Sequence, residues 1–313
     1  MRIVRVTGLV AFLVFFLFGC TFVEVNMFPR QVPLKEMTLM GKGRDRIVLV
    51  EISGFLSTAR RRGPLGMTYR PSPVEEVRRV LEVAARDPRV KGLLLRINSP
   101  GGTVTAGDII YHEISSCSQQ HHWPVVACLM EIATSGAYYV ALAAQDIVAH
   151  PTTVTGAIGV VALKMDIQGL LRKVGVRVEV YKSGTEKDAW FPFRPSSQKE
   201  RRHIQTMIQG FSSRFFSLVK ERRSLSLPEW KVAESGRVFG APEAQRLHLV
   251  DRLGYLEDAF EEVKTLAGVK EARLVAYLPG GTTQANIYSG PPPNPPDLLN
   301  LLATGQAAYL WMP

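Results

Sequence analysis

The chain has 313 residues, enough for one large domain or two small ones. Hydrophobic residues make up 46% of it and charged residues 21%, an ordinary balance for a globular protein that excludes a disordered chain. The net charge of +10 suits an anionic membrane surface as well as nucleic acid. Because no nucleic-acid-binding motif accompanies this charge, we expect no nucleic-acid partner.

The first 20 residues predict export and tethering to a membrane. Arg2 and Arg5 precede an apolar stretch over residues 8–18, which is the layout of a secretory signal peptide. The stretch ends in LFGC, which resembles the lipobox of bacterial lipoproteins, where the cysteine (here Cys20) is lipidated. The apolar run over residues 6–23 is also long enough for an uncleaved transmembrane anchor. Either alternative leaves the bulk of the chain outside the cytoplasm, tethered at the cell membrane.

Past this segment, apolar strands alternate with amphipathic helices. Residues 21–45 show weak periodicity and are interpreted as a linker. Strands are predicted over residues 46–52, 92–97, 124–130, 146–149 and 176–181. Helices are predicted over residues 73–84, 104–116, 136–144, 165–174, 196–223, 242–247 and 256–267. Near-continuous apolar strands between helices predict an α/β fold, with a parallel sheet covered by helices on both faces.

Two boundaries and two cysteines complete this outline. A proline-rich tail begins at residue 279, so the folded domain is predicted over residues 46–278 and the tail over 279–313. Cys117 and Cys128 fall on a helix and the next strand; two cysteines are too few for a disulfide framework, and their spacing fits no zinc site. We therefore expect free thiols there and neither a metal nor a cofactor.

Three segments carry residues suited to acyl-transfer chemistry. Gly101 and Gly102 follow one predicted strand, where uncovered amide N–H groups can hold an oxyanion. Ser135 follows the next strand, where a strand-to-helix turn can project a nucleophilic hydroxyl beside the Gly136 amide. Ser135 could instead simply cap the helix. The segment from Lys182 to Asp188 follows a third predicted strand, and a lysine there is a base only if its amine is neutral.

Taken in order, five segments resemble the signal peptide peptidase A family of protease IV type, in its short single-repeat form. They read INSPGG, ATSGAYY, TGAIGV, YKSGTEKD and GRVFGAPEAQRLHLVDRLG, and the resemblance spans residues 46–262. It implies a ClpP/crotonase-like fold, Ser135 as nucleophile, Lys187 as general base and Gly102 as an oxyanion amide. The turn geometry adds Gly136 as the second amide.

Several site alternatives stay open. Lys182 is the competing base, because long, duplicated members of the family place their lysine near that position. Ser183 is a candidate to orient Lys187, on proximity alone. The six histidines leave a Ser–His–Asp triad as a further alternative, because triads are not recognised by sequence position.

The resemblance also implies substrates and partners. We expect a cofactor-free serine endopeptidase that cuts remnant signal peptides in their apolar cores near the membrane. The short members assemble into rings with each site at a subunit contact, so we expect a homo-oligomer, an octameric ring by that analogy.

The tail has two interpretations: an arm that packs on a neighbour, or a substrate-like segment around Ala307 and Ala308. Three alternatives remain for the function: a peptidase that trims a specific membrane protein, a catalytically silent membrane scaffold, and a crotonase-type acyl-CoA enzyme.

Overall fold

The computed structural model describes residues 33–62, 69–280, 286–289 and 308–310. The predicted signal or anchor segment, with Cys20, lies outside these residues. Strands are β1 (Leu34–Gly41), β2 (Asp45–Ser53), β3 (Arg61–Arg62), β4 (Tyr69–Arg70), β5 (Val90–Ser99), β6 (Gly101–Thr103), β7 (Val125–Thr134), β8 (Asp146–Ala149), β9 (Val154–Gly156), β10 (Val238–Gly240), β11 (Arg252–Leu253), β12 (Ala272–Pro279) and β13 (Ala308–Leu310). Helices are α1 (Pro73–Ala84), α2 (Val104–His121), α3 (Gly136–Ala141), α4 (Gln168–Lys173), α5 (Gln198–Arg222), α6 (Leu227–Ala233), α7 (Ala241–Arg246) and α8 (Leu256–Leu266).

A mostly parallel sheet organises the described residues. Seven of its strands lie in the spatial order β1, β12, β2, β5, β7, β8, β11, and β9 joins β7 while β10 joins β9. The pairs from β12 through β2, β5 and β7 to β8 are parallel, and β1 closes one edge antiparallel to β12. Parallel strands end at the same edge of a sheet, so the segments after β5 and β7 share that edge.

Both faces of the sheet are buried, which confirms the predicted α/β architecture. Along β5, Leu93, Leu95 and Ile97 contribute to one hydrophobic cluster, whereas Leu94 contributes to the cluster on the opposite face. Successive side chains of a strand point to opposite faces, so a continuous apolar run fills two cores at once.

The predicted helix starts are confirmed where the capping residues are strongest. Ser72 accepts a hydrogen bond from the backbone N–H of Glu75, and the Glu75 carboxylate accepts one from the Ser72 N–H. Ser197 and Glu200 make the same reciprocal pair at the start of α5. Each capping box satisfies two N–H groups that the first turn of a helix leaves unpaired.

Two predictions of secondary structure are wrong. Residues 34–41 belong to the sheet as β1, so the linker interpretation of residues 21–45 fails for its second half. The strand predicted over residues 176–181 does not form, and its valines are exposed. Both errors have one physical cause: whether a segment becomes a strand depends on a tertiary partner as well as on its own sequence. The strand β12 supplies that partner to the weakly patterned β1, and no described strand supplies one to the valine-rich residues 176–181.

Part of the tail is fastened to the sheet. The buried Arg96 side chain on β5 donates hydrogen bonds to the backbone carbonyls of Ile287 and Ser289, the latter at 2.8 Å. Ile287 packs into the hydrophobic cluster that α8 also contacts. The polypeptide beyond the predicted domain end at residue 278 thus contributes to the core. Among the helices in the described ranges, none is both long and apolar enough to cross a bilayer.

Candidate active site

Ser135 occupies a strained turn between β7 and α3. Its backbone has φ 55° and ψ −116°, a conformation that non-glycine residues rarely adopt. Although Ser135 stands at the N-cap position of α3, its side chain makes no capping hydrogen bond, so the structure does not bear out the helix-cap alternative. A serine held in such a strand–turn–helix elbow presents its hydroxyl at the edge of the sheet.

The TGAIGV segment holds this elbow in place. The Ser135 N–H donates to the carbonyl of Gly156 at 2.8 Å, and the Thr155 hydroxyl donates to the carbonyl of Ala133 at 2.6 Å. Gly156 has φ +91°, and a Cβ there would lie 2.4 Å from the Phe239 ring. Thr155 and Gly156 therefore support the Ser135 turn, a role that the TGAIGV pattern alone does not predict.

Gly102 lies in a position that only glycine can occupy. A Cβ built on it would meet the Leu56 carbonyl oxygen at 2.0 Å. The Leu56 backbone bonds to both neighbours of Gly102: its N–H donates to Gly101 and its carbonyl accepts from Thr103, each at 2.9 Å. The glycine is thus required by close backbone approach, and Gly102 stays where the sequence predicts it, just past the end of β5.

Polar side chains tie the ends of β5 and β7 together. The Asn98 side-chain oxygen accepts a hydrogen bond from the Ile132 N–H at 3.1 Å. The buried Ser99 hydroxyl donates to the Gly54 carbonyl at 2.6 Å and accepts from the Gly101 N–H at 3.0 Å. The asparagine and serine of the NSPGG turn therefore fix the glycine strand β6 relative to the strand that carries Ser135.

The glycine strand and the serine helix face an extended segment of the same chain. The helix α3 packs against β6 and β13. The strand β13 pairs antiparallel with β6, with Tyr309 opposite Gly102 and Leu310 opposite Gly101. The edge of β6 thus accepts an extended peptide by backbone pairing at the place where the oxyanion amides are predicted.

Tyr139, one turn beyond Ser135 on α3, anchors the serine helix from its outer side. The Tyr139 hydroxyl donates to the Asp108 carboxylate on α2 at 2.7 Å, and Arg214 on α5 donates to the same carboxylate at 2.7 Å and 2.9 Å. Through this carboxylate, α2 and α5 hold the helix that follows Ser135.

Lys187 lies in a different kind of environment. The segment from Lys182 to Asp188 follows no strand, which corrects the prediction that all three chemistry-bearing segments follow strands. The side chain of Lys187 is exposed, and its backbone N–H donates to the Gly184 carbonyl at 3.2 Å. Within the ranges that the structure describes, no hydrogen bond joins Lys187 to Ser135 or to Ser183.

Lys182, the competing base, is engaged elsewhere. Its ammonium donates to the Thr185 carbonyl at 2.8 Å and to the buried Asp188 carboxylate at 2.6 Å. Hydrogen bonds from Arg194 and then Lys182 hold the pKa of the Asp188 carboxyl well below its usual range. Lys182 is therefore half of a charged pair, and its ammonium is committed to Asp188.

The remaining candidates for chemistry stay apart from Ser135. His248 contacts the Glu229 carboxylate at 2.8 Å, and over the described stretches no histidine is hydrogen-bonded to Ser135. Over those same stretches, no three or more His, Cys, Asp or Glu side chains cluster so that they could hold a metal ion. Cys117 and Cys128 are free thiols, and burial raises the pKa of Cys128 to about 12.

Comparison with known proteins bears on the whole of this arrangement. A model of Peptidase family S49 matches residues 118–270, which include Ser135 and Lys187. A Synechocystis sp. protein named as a protease is 33% identical over 252 residues, covering 77% of this chain and 85% of its own length. An Enterococcus faecium protein named as signal peptide peptidase SppA is 32% identical over 210 residues, which are 67% of this chain.

Coverage of these proteins is uneven. The chain spans 61% of the length of the Enterococcus protein. Superposition on ClpP1 of Listeria monocytogenes covers 67% of this chain with 17% identity and a TM-score of 0.43, an overlap too loose to establish a shared fold. The family is established by two findings. The Synechocystis protein is similar over most of both chains, and the family model matches the segments that carry Ser135 and Lys187. This chain belongs to Peptidase family S49.

Proposed function

We propose that this chain is a serine endopeptidase in which Ser135 is the nucleophile, Lys187 the general base, and the amides of Gly102 and Gly136 the oxyanion hole. The observation that carries the proposal is the strained Ser135 turn beside the glycine strand β6, on whose edge an extended peptide segment already lies. A nucleophile elbow, a close-approach glycine and a peptide-binding edge are together the parts that acyl transfer requires.

The proposed reaction begins when neutral Lys187 accepts the Ser135 hydroxyl proton as the oxygen attacks a peptide carbonyl. The tetrahedral intermediate places its negative oxygen at the two glycine amides. The amine leaves with a proton returned by Lys187, and an acyl-enzyme on Ser135 remains. Water that Lys187 deprotonates then releases the acyl group and restores the serine.

The substrate is proposed to bind in extended form. The antiparallel pairing of β13 with β6 supports this, since backbone pairing with a strand edge accepts many sequences in one conformation. We propose that the substrates are apolar peptides, namely remnant signal peptides at the membrane, and that the fold is of the ClpP/crotonase type. The basic charge and the predicted N-terminal tether suit a site close to an anionic bilayer.

A second copy of the chain is proposed to complete the site. A lysine base must be desolvated, yet Lys187 is exposed. Just before it, Val174, Val176, Val178 and Val180 alternate with more polar residues and are 38% to 63% exposed. This is the pattern of a strand without a partner, which a neighbouring copy would cover. We propose a homo-oligomer with the site at the subunit contact, an octameric ring by family analogy.

Of the alternatives, trimming of a specific membrane protein keeps the same chemistry and differs only in substrate. A catalytically silent scaffold has no use for a strained serine, because such backbone strain costs on the order of 1–3 kcal/mol. A crotonase-type acyl-CoA enzyme would not use the Ser135 and Lys187 pair.

The test uses the full chain, purified in detergent and offered a fluorogenic apolar peptide. Ser135→Ala and Lys187→Ala are expected to abolish hydrolysis, and Lys182→Ala to retain a substantial part of it. A fluorophosphonate probe should label the wild type at Ser135 and leave Ser135→Ala unlabelled. Undiminished hydrolysis in Lys187→Ala would overturn the assignment of the base; undiminished hydrolysis in Ser135→Ala would overturn the function.

The tether has its own measurement. Mass spectrometry of the mature N-terminus should find a diacylglycerol-modified Cys20 if the lipidated form is correct, and an intact Met1 if the segment is an uncleaved anchor. A soluble chain that has lost its leader and carries no lipid would contradict both.

A further inference from the structure

The two carboxylates that flank Lys187 in sequence are both occupied by other cations. Glu186 pairs with Lys199 at 2.5 Å, and Asp188 pairs with Lys182 at 2.6 Å and with Arg194 at 2.8 Å. Over the described ranges, no ion pair or side-chain hydrogen bond engages the ammonium of Lys187. Both carboxylates next to Lys187 in the chain are therefore engaged by other cations, and neither is paired with the exposed Lys187 side chain.

Arg194 is the centre of the arrangement. Its guanidinium donates to both oxygens of Asp188, at 2.8 Å each, and to both oxygens of Glu200, at 2.5 Å and 3.0 Å. Asp188 is 4% exposed and Glu200 is 5% exposed, so both carboxylates are withdrawn from solvent. A planar guanidinium can serve two carboxylates in this way, whereas an ammonium cannot match the fork geometry.

The isolation of Lys187 matters for the chemistry proposed above. A carboxylate within about 4–6 Å stabilises the ammonium form of a lysine, and a base must be the neutral amine. A free Asp188 carboxylate one residue away would therefore oppose the proton transfer from Ser135.

We propose that Arg194 and Lys182 are positioning residues for the Lys187 base: by holding the Asp188 carboxylate they leave the Lys187 amine free to face the nucleophile. This inference rests on the proposed function. It also gives Lys182 a role other than that of the competing base, since its ammonium is already committed to Asp188.

Other charged groups face the same segment. Lys164 approaches from outside it and donates to the Ala189 carbonyl at 2.8 Å and to the Ser196 hydroxyl at 2.7 Å. Desolvation lowers the pKa of Lys164, and the nearby Arg194 charge lowers it further. The Glu186–Lys199 pair is more exposed, so solvent screens it and its influence is weaker than that of Asp188.

The experiment measures kcat/KM against pH for the full-length protein. Arg194→Met should release the Asp188 carboxylate towards Lys187. The acid limb of the kcat/KM profile should then move to higher pH by about one unit. At neutral pH kcat/KM should fall about tenfold, and at alkaline pH it should return to the wild-type value. Lys182→Met should move the limb in the same direction by less. Arg194→Lys keeps the charge and should hold the profile nearer the wild type.

The decisive variant is the double change Arg194→Met with Asp188→Asn. It removes the released carboxylate, so it should return the acid limb to its wild-type position even if the loop is loosened. Arg78→Met, which breaks an exposed i,i+4 pair with Glu82 on α1, is the matched control and should leave the profile unchanged.

The outcomes separate this inference from the function on which it rests. If Ser135→Ala and Lys187→Ala abolish activity but Arg194→Met lowers kcat/KM equally at every pH, the role of Arg194 is only structural and the inference is wrong. The inference is also contradicted if the acid limb of the kcat/KM profile stays displaced in the double variant Arg194→Met with Asp188→Asn. If Ser135→Ala stays active, the proposed function itself fails.

Discussion

The two halves of the candidate site are built by different forces. Ser135 sits between a buried strand and a helix whose residues are all buried, and backbone hydrogen bonds fix its turn. Lys187 sits in an irregular segment whose neighbours are mostly exposed and whose order comes from ion pairs around Asp188 and Arg194. Apolar burial is non-directional and grows with the buried area, whereas an ion pair stabilises only while its two partners keep their charge and their geometry.

The contrast is the reason for the proposal that two copies of the chain complete one site. The Ser135 turn is held by contacts within the core of this chain. The segment around Lys187 exposes its valines and Lys187 together, and this exposure is the observation behind the proposed contact with a second copy. A serine peptidase divided in this way would be active only where both halves meet.

The largest effect is expected from placing a side chain at Gly102, where the backbones of β6 and Leu56 are in close contact. In Gly102→Ala the new methyl would meet the Leu56 carbonyl at 2.0 Å, so β6 must shift and carry its amide out of place. We expect kcat to fall by about 10²–10³-fold, the usual effect of losing one oxyanion donor. Gly210→Ala, with open space around the site of the new methyl, is the control. Full activity in Gly102→Ala would show that the Gly102 amide is not part of the oxyanion hole.

A matched pair of leucine truncations compares the two regions directly. Leu129 on β7 is fully buried, and Leu170 on α4 is 60% exposed. Leu129→Ala should lower the free energy of unfolding by about 2–5 kcal/mol through lost burial and a cavity. Leu170→Ala should change it by less than about 0.5 kcal/mol. Chemical denaturation measures both, and sedimentation should detect any loss of assembly in Leu170→Ala. Equal destabilisation would mean that the two regions are not built differently.

Acid should weaken the base half before the nucleophile half. Hydrogen bonds from Arg194 lower the pKa of Glu200 from 4.5 to about 2 and also lower that of Asp188. Because both folded-state values lie below the unfolded ones, this stabilisation is present above about pH 4.5 and is lost as the pH falls towards 2. The melting temperature of the wild type should drop across this window, and that of Arg194→Met should drop less. If the melting temperatures of the wild type and of Arg194→Met fall in parallel with pH, the ion pairs of Arg194 with Asp188 and Glu200 contribute no stability.

The smallest effect is expected from the tail. A chain ended after Ser289 keeps the Arg96 contacts and the buried Ile287 but lacks β13. Because β13 occupies the edge of β6, its removal should raise kcat/KM for a peptide substrate a few-fold, as a tethered competitor is lost. Sedimentation of the same variant tests the alternative that the tail is an arm on a neighbour, which predicts a smaller assembly. If activity and assembly size both stay unchanged, neither interpretation of the tail holds.

Much of the nucleophile half could be predicted from the sequence. The apolar runs that become β5 and β7, the glycines after the first and the serine after the second all lie where the pattern puts them, because a fully buried strand has a local signature. The strain at Ser135 and its bond to Gly156 could not be predicted, since they depend on residues that are distant in sequence. The small residues of TGAIGV were the only signal of that support.

The base half was predicted by resemblance more than by pattern. Lys182 and Lys187 look alike in sequence, and a period-two run of valines indicates a strand whether or not a partner exists. The resemblance favours Lys187, and the structure adds a physical difference between the two lysines: the ammonium of Lys182 shares the Asp188 carboxylate with Arg194.

The sequence by itself determined the α/β class, the order of the chemistry-bearing segments and the need for glycine near the serine, because burial periodicity and turn chemistry are local properties. The tertiary structure decided which strand-like segments find partners, that the serine turn is strained, that β13 lies on the glycine strand and which lysine is left unpaired. These are decided by contacts between residues far apart in the chain, whose geometry exists only once the sheet has formed.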